Sequence, residues 1–144
     1  MAENILNEIK SRLGESIDVI EDSTFPFIRT GPVHLLDVMG HLKERAGFNY
    51  LANLTAVDYK EEFEIVYHLY TIPGNRKLGV KTRVSREKPV LPSVFSIWVA
   101  ADWQEREIFD LFGIGFIGHP NLARILLPDE FEGYPLRKDF RQEG

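Results

Sequence analysis

The chain has no cysteine. That absence excludes disulfides, zinc–thiolate sites and cysteine-ligated iron–sulfur clusters together. It has no excess of positive charge: 17 lysines and arginines stand against 22 aspartates and glutamates, for a net charge of -5. A nucleic-acid binder carries a basic stripe, and the balance here argues against that class. Its longest uncharged apolar run, Leu91 to Ala101, is far too short to span a bilayer. The opening Met-Ala-Glu-Asn has neither the basic nor the apolar region of a secretory signal. Any membrane link is therefore expected to come through another protein. Internal repeats and low-complexity linkers are missing. So is a phosphate loop: Gly113, Gly115 and Gly118 follow a helical pattern rather than a strand, and match neither a dinucleotide fingerprint nor a Walker sequence.

What is present is enough apolar sequence, in 144 residues, for one domain with a real core. Ile5, Leu6, Ile9 and Leu13 recur at helical spacing and stop at Gly14. Residues 17–20 and 25–29 read as short strands. A second helix is predicted from Pro32, with Leu35, Leu36, Met39, Leu42 and Ala46 inward and Gly47 at its end. Residues 48–59 fit either period and are read as a strand. Residues 63–70 and 77–84 alternate with period two around the turn Pro73-Gly74-Asn75. Basic residues on one side of the second strand give it a half-solvated face. A third helix is predicted over about Ser93 to Phe112, with a kink or break near Ala100. Beyond Gly113, the glycines and prolines at 115, 118, 120, 128, 133 and 135 forbid a long regular element. This order reads as α+β, a mainly antiparallel sheet with helices on one face, followed by an irregular Gly/Pro-rich C-terminal segment. The expected division is an α+β domain over 1–113 and an extended docking segment over 114–144, within one domain.

Metal and acid–base sites read weakly. His34, Asp37 and His41 share one helix face but lack the tighter HExxH spacing, and a polar helix face explains them. His68 lies on a strand. His119, before Pro120 in a glycine-rich turn, is the histidine to test as a general base, although a hydrogen bond holding the turn accounts for it as well. Glu105 and Glu107 point roughly 200° apart on a helix and cannot flank one bond. Arg106 is four residues from both Asp102 and Asp110, the spacing of exposed helix ion pairs. Glu105 is different, because it shares a stripe with Ala101, Ile108 and Phe112. A carboxylate there must be protonated or paired, since an unpaired buried charge costs several kcal/mol. The partners expected from sequence are Arg124, Arg137, Lys138 or amides of the glycine-rich segment, so that Glu105 would tie that segment to the helix.

The last third is dense in charge, glycine, proline and aromatics. Phe116, Phe131, Tyr134 and Phe140, with Arg124 and Arg137, are residue types enriched in interface cores. The residues alone leave two readings open: a docking strip, or a cover for the domain's own core.

The run Glu105-Arg106-Glu107-Ile108-Phe109-Asp110-Leu111-Phe112-Gly113-Ile114, followed by Phe116, Gly118-His119-Pro120, Leu122, Arg124-Ile125-Leu126, Gly133 and Pro135-Leu136-Arg137-Lys138-Asp139-Phe140, resembles a known family. The family it resembles is the thirty-kilodalton subunit of NADH-quinone oxidoreductase, respiratory complex I. The resemblance reaches back through Pro92-Ser93-Val94, Ile97-Trp98, Ala101 and Trp103 to residues 54–59 and 66–70. It implies a non-catalytic scaffold in the peripheral arm of a proton-translocating complex, on the cytoplasmic face of a bacterial or archaeal plasma membrane. It implies no cofactor in this chain, with NADH, FMN, iron–sulfur clusters and quinone carried by partners. The implied partners are the hydrogenase-like large subunit and other peripheral-arm subunits, and the isolated chain is expected to self-associate if its docking strip is orphaned. Glu105, Arg106, Glu107, Asp110, His119, Arg124, Arg137, Lys138 and Asp139 are implied to hold the terminal segment and the partner. Related compact subunits in membrane-bound nickel–iron hydrogenases or ferredoxin- or deazaflavin-fed complexes form the alternative. A small stand-alone enzyme using His119 with Asp110 or Asp139 is the alternative of another class.

Overall fold

A computed structural model describes residues 2–20 and 25–140, with side chains from residue 5 onward. Helix α1 (Ala2–Leu13) is followed by a 3-10 turn (Gly14–Ser16). Strands β1 (Asp18–Ile20) and β2 (Phe27–Arg29) lead to a second 3-10 turn (Pro32–His34) that runs into α2 (Leu35–Glu44). A meander follows: β3 (Tyr50–Asp58), β4 (Glu62–Tyr70) and β5 (Lys77–Ser85). The chain then forms β6 (Val90–Pro92), α3 (Ala101–Phe112) and β7 (Gly115–Ile117). Residues 118–140 carry turns and bends only. The link between the first two strands falls on residues 21–24, outside the described residues.

The main sheet has the order β1-β2-β5-β4-β3. Every neighbouring pair is antiparallel except β2 with β5, which is parallel. That exception follows from connectivity: α2 and the meander return the chain so that β5 slots beside β2. The inward row Phe63, Ile65, Tyr67 and Leu69, with Leu78, Val80 and Val84, packs against Ile5 and Ile9 of α1, Leu35, Met39 and Leu42 of α2, and Ile108 and Phe112 of α3 in one buried cluster. Burying these side chains supplies the bulk of the folding drive, at about 25 cal/mol per Å² of apolar surface.

Two local readings differ from the sequence expectation. Leu36 faces solvent, and Val38 is buried in its place. The third helix begins at Ala101 rather than Ser93, because residues 90–92 are drawn into a small parallel sheet with β7, pairing Val90 with Gly115 and Leu91 with Phe116. The Ser93 amide donates to the Ile117 carbonyl at 2.8 Å, which ties residue 93 to that sheet and not to a helix. No period in the sequence marks so short a parallel pair, whose partners are separated by a whole helix.

The other face of the main sheet carries Glu64, Val66, His68 and Tyr70 of β4, in register with Arg83, Lys81, Gly79 and Lys77 of β5. Gly79 sits among them because a Cβ there would run into the Phe27 ring. Gly79→Ala must push that ring off its contacts with Phe25 and His68. Urea unfolding should show a loss of about 1–3 kcal/mol, and pairing the change with Phe27→Leu should recover part of it. An unchanged midpoint would mean that the ring moves freely.

Candidate functional site

Helix α3 organises the irregular segments on both of its sides. Upstream, Glu105 is fully buried. Its carboxylate accepts the Ser93 hydroxyl at 2.5 Å and the Val94 amide at 2.9 Å. Burial pushes its pKa above the ordinary carboxylate range, opposed by those two donors. The expected partners Arg124, Arg137, Lys138 and glycine-segment amides are not what it meets. Glu105 fastens the segment entering the helix, not the C-terminal one. The reason is geometric: Ser93 and Val94 fold back over the first turns of α3, where Glu105 points.

The residue that fastens the C-terminal segment is Asp110, also fully buried. One carboxylate oxygen accepts three consecutive amides, Ile125, Leu126 and Leu127, at 3.1, 2.7 and 3.1 Å. The other accepts the Arg124 guanidinium at 3.0 Å. Burial alone would raise this carboxyl. The three amides and Arg124 outweigh it and hold the pKa below the usual range. Arg124 continues to the Gly133 carbonyl at 2.9 Å and lies over the Tyr134 ring at 4.9 Å. Tyr134 in turn covers Gly113, the left-handed residue (φ 75°) that ends α3, where a Cβ would lie 2.6 Å from the ring. Glycine is needed there both for the backbone and for the ring.

Arg137 donates to the Phe112 carbonyl at 2.6 Å and stacks over Tyr134 and Phe63. The segment is pinned a third time at Asp58, at the end of β3. This nearly buried carboxylate forms a two-pronged pair with Arg86, at 2.6 and 2.8 Å, and accepts the Lys138 amide at 2.8 Å. The Arg86 hydrogen bonds hold the Asp58 carboxyl well below its ordinary pKa. Arg86 also reaches Asp139 at 3.2 Å.

The remaining predicted residues fall as follows. Arg106 donates to the Ala123 carbonyl at 3.2 Å and lies over Trp103, rather than pairing with Asp102 or Asp110. Glu107 is exposed. His119 has a fully buried side chain that meets the Asp102 carboxylate through Nε2 at 2.9 Å, while its Nδ1 accepts the Asn121 amide at 2.9 Å. Both ring nitrogens are engaged, so the imidazole holds the turn. Asp110 and Asp139 lie with Arg124 and Arg86, not with His119. The Lys138 side chain is exposed, although its amide is fastened. Among the described residues, no three His, Cys, Asp or Glu converge to hold a metal ion.

Asp58, Arg86 and Ser93 were not foreseen as members of this network. Asp58 and Lys138 are 80 residues apart, and no local spacing signals such a pair. A strand ending in aspartate two residues before a positive-φ Lys60 is the faint trace, since the Lys60 amide also donates to Asp58.

Residues 28–144 match the family described as respiratory-chain NADH dehydrogenase, 30 kDa subunit. The chain belongs to that family, and with it to the peripheral subunits of a multi-subunit, membrane-associated respiratory complex. It is 48% identical over 141 residues to the corresponding NADH-quinone oxidoreductase subunit of Moorella thermoacetica, covering 96% of this chain and 95% of that protein. It is 40% identical over 139 residues to the corresponding subunit of Chloroherpeton thalassium, covering 92% of this chain but 58% of that longer protein. Among solved structures it is similar to the trypsin-resistant fragment of Nqo5, with a TM-score of 0.72 and 32% identity, covering 85% of this chain and 100% of the fragment. It is also similar to a chain of the membrane-bound sulfane sulfur reductase, an archaeal respiratory membrane complex, with a TM-score of 0.83 and 29% identity over 96% of this chain and 85% of that one. Among the described residues no helix is long and apolar enough to cross a membrane.

Asp110→Asn leaves Arg124 and three amides facing a group that cannot accept from all of them. It should cost about 3–5 kcal/mol in urea unfolding and open the segment after Arg124 to trypsin. Glu105 has the opposite pH signature to Asp58 and Asp110. Its folded pKa is raised, so the stability it contributes is present below the ordinary carboxylate range and is lost as pH rises through its folded pKa. Asp58 and Asp110 are lowered, so theirs is present above that range and lost as pH falls through it. Glu105→Gln should therefore remove a decline in stability on the alkaline side of the carboxylate range and leave the acid limb in place. Equal pH profiles for the two proteins would refute this account.

Proposed function

We propose that the chain is a bracing subunit of the peripheral arm of an NADH:quinone oxidoreductase, and that it is not itself catalytic. Residues 114–144 act as its docking segment toward the hydrogenase-like large subunit. The observation that carries this reading is the inward fastening of residues 124–139. The polar groups of the motif, Asp110, Arg124 and Arg137, together with Asp58 of β3, are consumed in holding the segment to α3 and β3. Leu126 and Leu136 are left half exposed, at 57% and 52%, and the Lys138 side chain is exposed too. A strap whose shape is set by buried ion pairs keeps its outward side chains in fixed positions before any partner arrives. Preorganisation of that kind lowers the ordering cost of binding.

In such a complex NADH, FMN, iron–sulfur clusters and quinone are held by partner subunits, and this chain would hold the cluster-bearing neighbours at constant separation. The complex would translocate protons and lie on the cytoplasmic face of the membrane. A second reading, an equivalent subunit in a membrane complex that does not use NADH, such as a membrane-bound hydrogenase or a ferredoxin-fed enzyme, is supported by the structural likeness to the chain of the archaeal sulfane sulfur reductase.

The test is made in cells that assemble the complex. Leu126→Ser/Leu136→Ser/Lys138→Ser removes the presented surface and keeps the fasteners. It should lower the yield of assembled complex severalfold while the isolated chain keeps its unfolding midpoint. Arg137→Ala, which removes a fastener, should lower both. Assembly at the normal level with lost turnover would turn the assignment toward direct catalysis. The electron-donor protein that co-purifies distinguishes the two complexes.

A further inference from the structure

The outer face of the five-stranded sheet lies opposite the three helices and away from the strap. On it β5 presents Lys77, Lys81 and Arg83, and β2 presents Arg29. Three of these cations lie over rings: Lys77 over Phe25 at 5.1 Å, Lys81 over Phe27 at 4.5 Å and Arg83 over Tyr59 at 5.0 Å. Their central counter-charge is Glu64, whose side chain is 2% exposed and is met by Arg83 at 3.0 Å, Arg29 at 3.5 Å and Lys81 at 3.9 Å. One buried carboxylate is thus shared by three cations. Glu62 pairs with Arg83 at 3.3 Å.

Arg29 is the cation held least closely: it reaches Glu64 only at 3.5 Å, and its side chain stays 43% exposed. Its guanidinium offers five N–H donors, yet no hydrogen bond from it forms among the described residues, and its Nε is buried without an acceptor. Arg29 and Arg83 line a cleft with Ser16, Thr30, Gly31 and His34. Glu15 and Asp18 line it too, but they are exposed and, among the described residues, form no ion pair with Arg29. Two neighbouring carboxylates would repel a dianion such as phosphate. A single carboxylate, planar and able to take two guanidinium N–H groups, suits Arg29.

We propose that this face is a second docking surface, taking an acidic extended segment of another subunit of the same complex, with one of its carboxylates seated on Arg29 and its flanking acids along Lys81 and Lys77. The chain would then grip two neighbours from different sides, the strap on one and the sheet face on the other. The proposal rests on the bracing reading only in that the partner belongs to the complex.

The test uses the full chain, tagged, in its native complex. Arg29→Gln/Lys77→Gln/Lys81→Gln discharges the face while Arg83 still pairs with Glu64. Lys77→Arg/Lys81→Arg keeps the charge. The neutral variant should recover one neighbouring subunit about three- to tenfold less well at roughly 0.15 M salt, with the strap's partner retained. The charge-retaining variant should match the unmodified chain. A carboxyl-to-amine cross-linker should join Lys77 or Lys81 to acidic residues of that neighbour.

Unchanged recovery would overturn the proposal. So would a lowered urea midpoint with loss of both neighbours, which makes the face part of the fold. Charge-dependent binding to phosphatidylglycerol vesicles with unchanged recovery of the neighbour would also overturn it, in favour of lipid. Loss of a neighbour from sheet-face variants but not from strap variants would sustain this inference while removing the strap reading.

Discussion

One carboxylate, that of Asp110, decides the course of the last third of the chain. It is carried on a helix that is itself held in the core by Ile108 and Phe112. It gathers three successive amides of a segment with no secondary structure of its own. Residues 125–127 could not otherwise satisfy those N–H groups against a protein surface, because they have no strand or helix partner. The carboxylate supplies three acceptor interactions at once, and Arg124 balances its charge. Every later contact, from Tyr134 on Gly113 to Lys138 at Asp58, depends on the chain leaving that point in one direction.

Helix α3 carries a second buried acid five residues earlier, and the two act on different segments. Glu105 shapes the entry, residues 93–94, and Asp110 shapes the exit, residues 124–127. Hydrophobic burial could not do either task alone. It is non-directional and scales with area, so it would accept many arrangements of Leu122, Ile125 and Phe131. Hydrogen bonds to a fixed carboxylate accept few. The core thus accounts for most of the stability, and the buried acids select one path for the irregular chain.

In the proposed bracing role the arrangement has a direct use. A subunit that positions others must not itself deform, and its contact surface must not be a mobile loop. Here a segment without helix or strand is held in one shape by groups that point inward. The sheet contributes differently: on its outer side Lys77, Lys81 and Arg83 lie over aromatic rings, and Arg29, Lys81 and Arg83 gather on the buried Glu64.

Much of this was legible in the sequence. The period-two runs of β4 and β5, the helices ending at Gly14 and Gly113, the α+β class and the placement of Glu105 on an apolar stripe all follow from local spacing, because side-chain direction repeats with a known period. The density of charge, glycine and aromatics over residues 105–140 pointed to a chain segment held in one shape. What holds it was not legible. That Glu105 meets Ser93, that Asp110 and not Glu105 carries the strap, that Asp58 and Arg86 close it across 80 residues, and that β6 pairs with β7 were decided only in three dimensions. Each is a contact between groups far apart in the chain, and neither spacing nor propensity records which of several buried acids faces which amide. Local periodicity determined the elements; the packing of α3 against the sheet determined their partners.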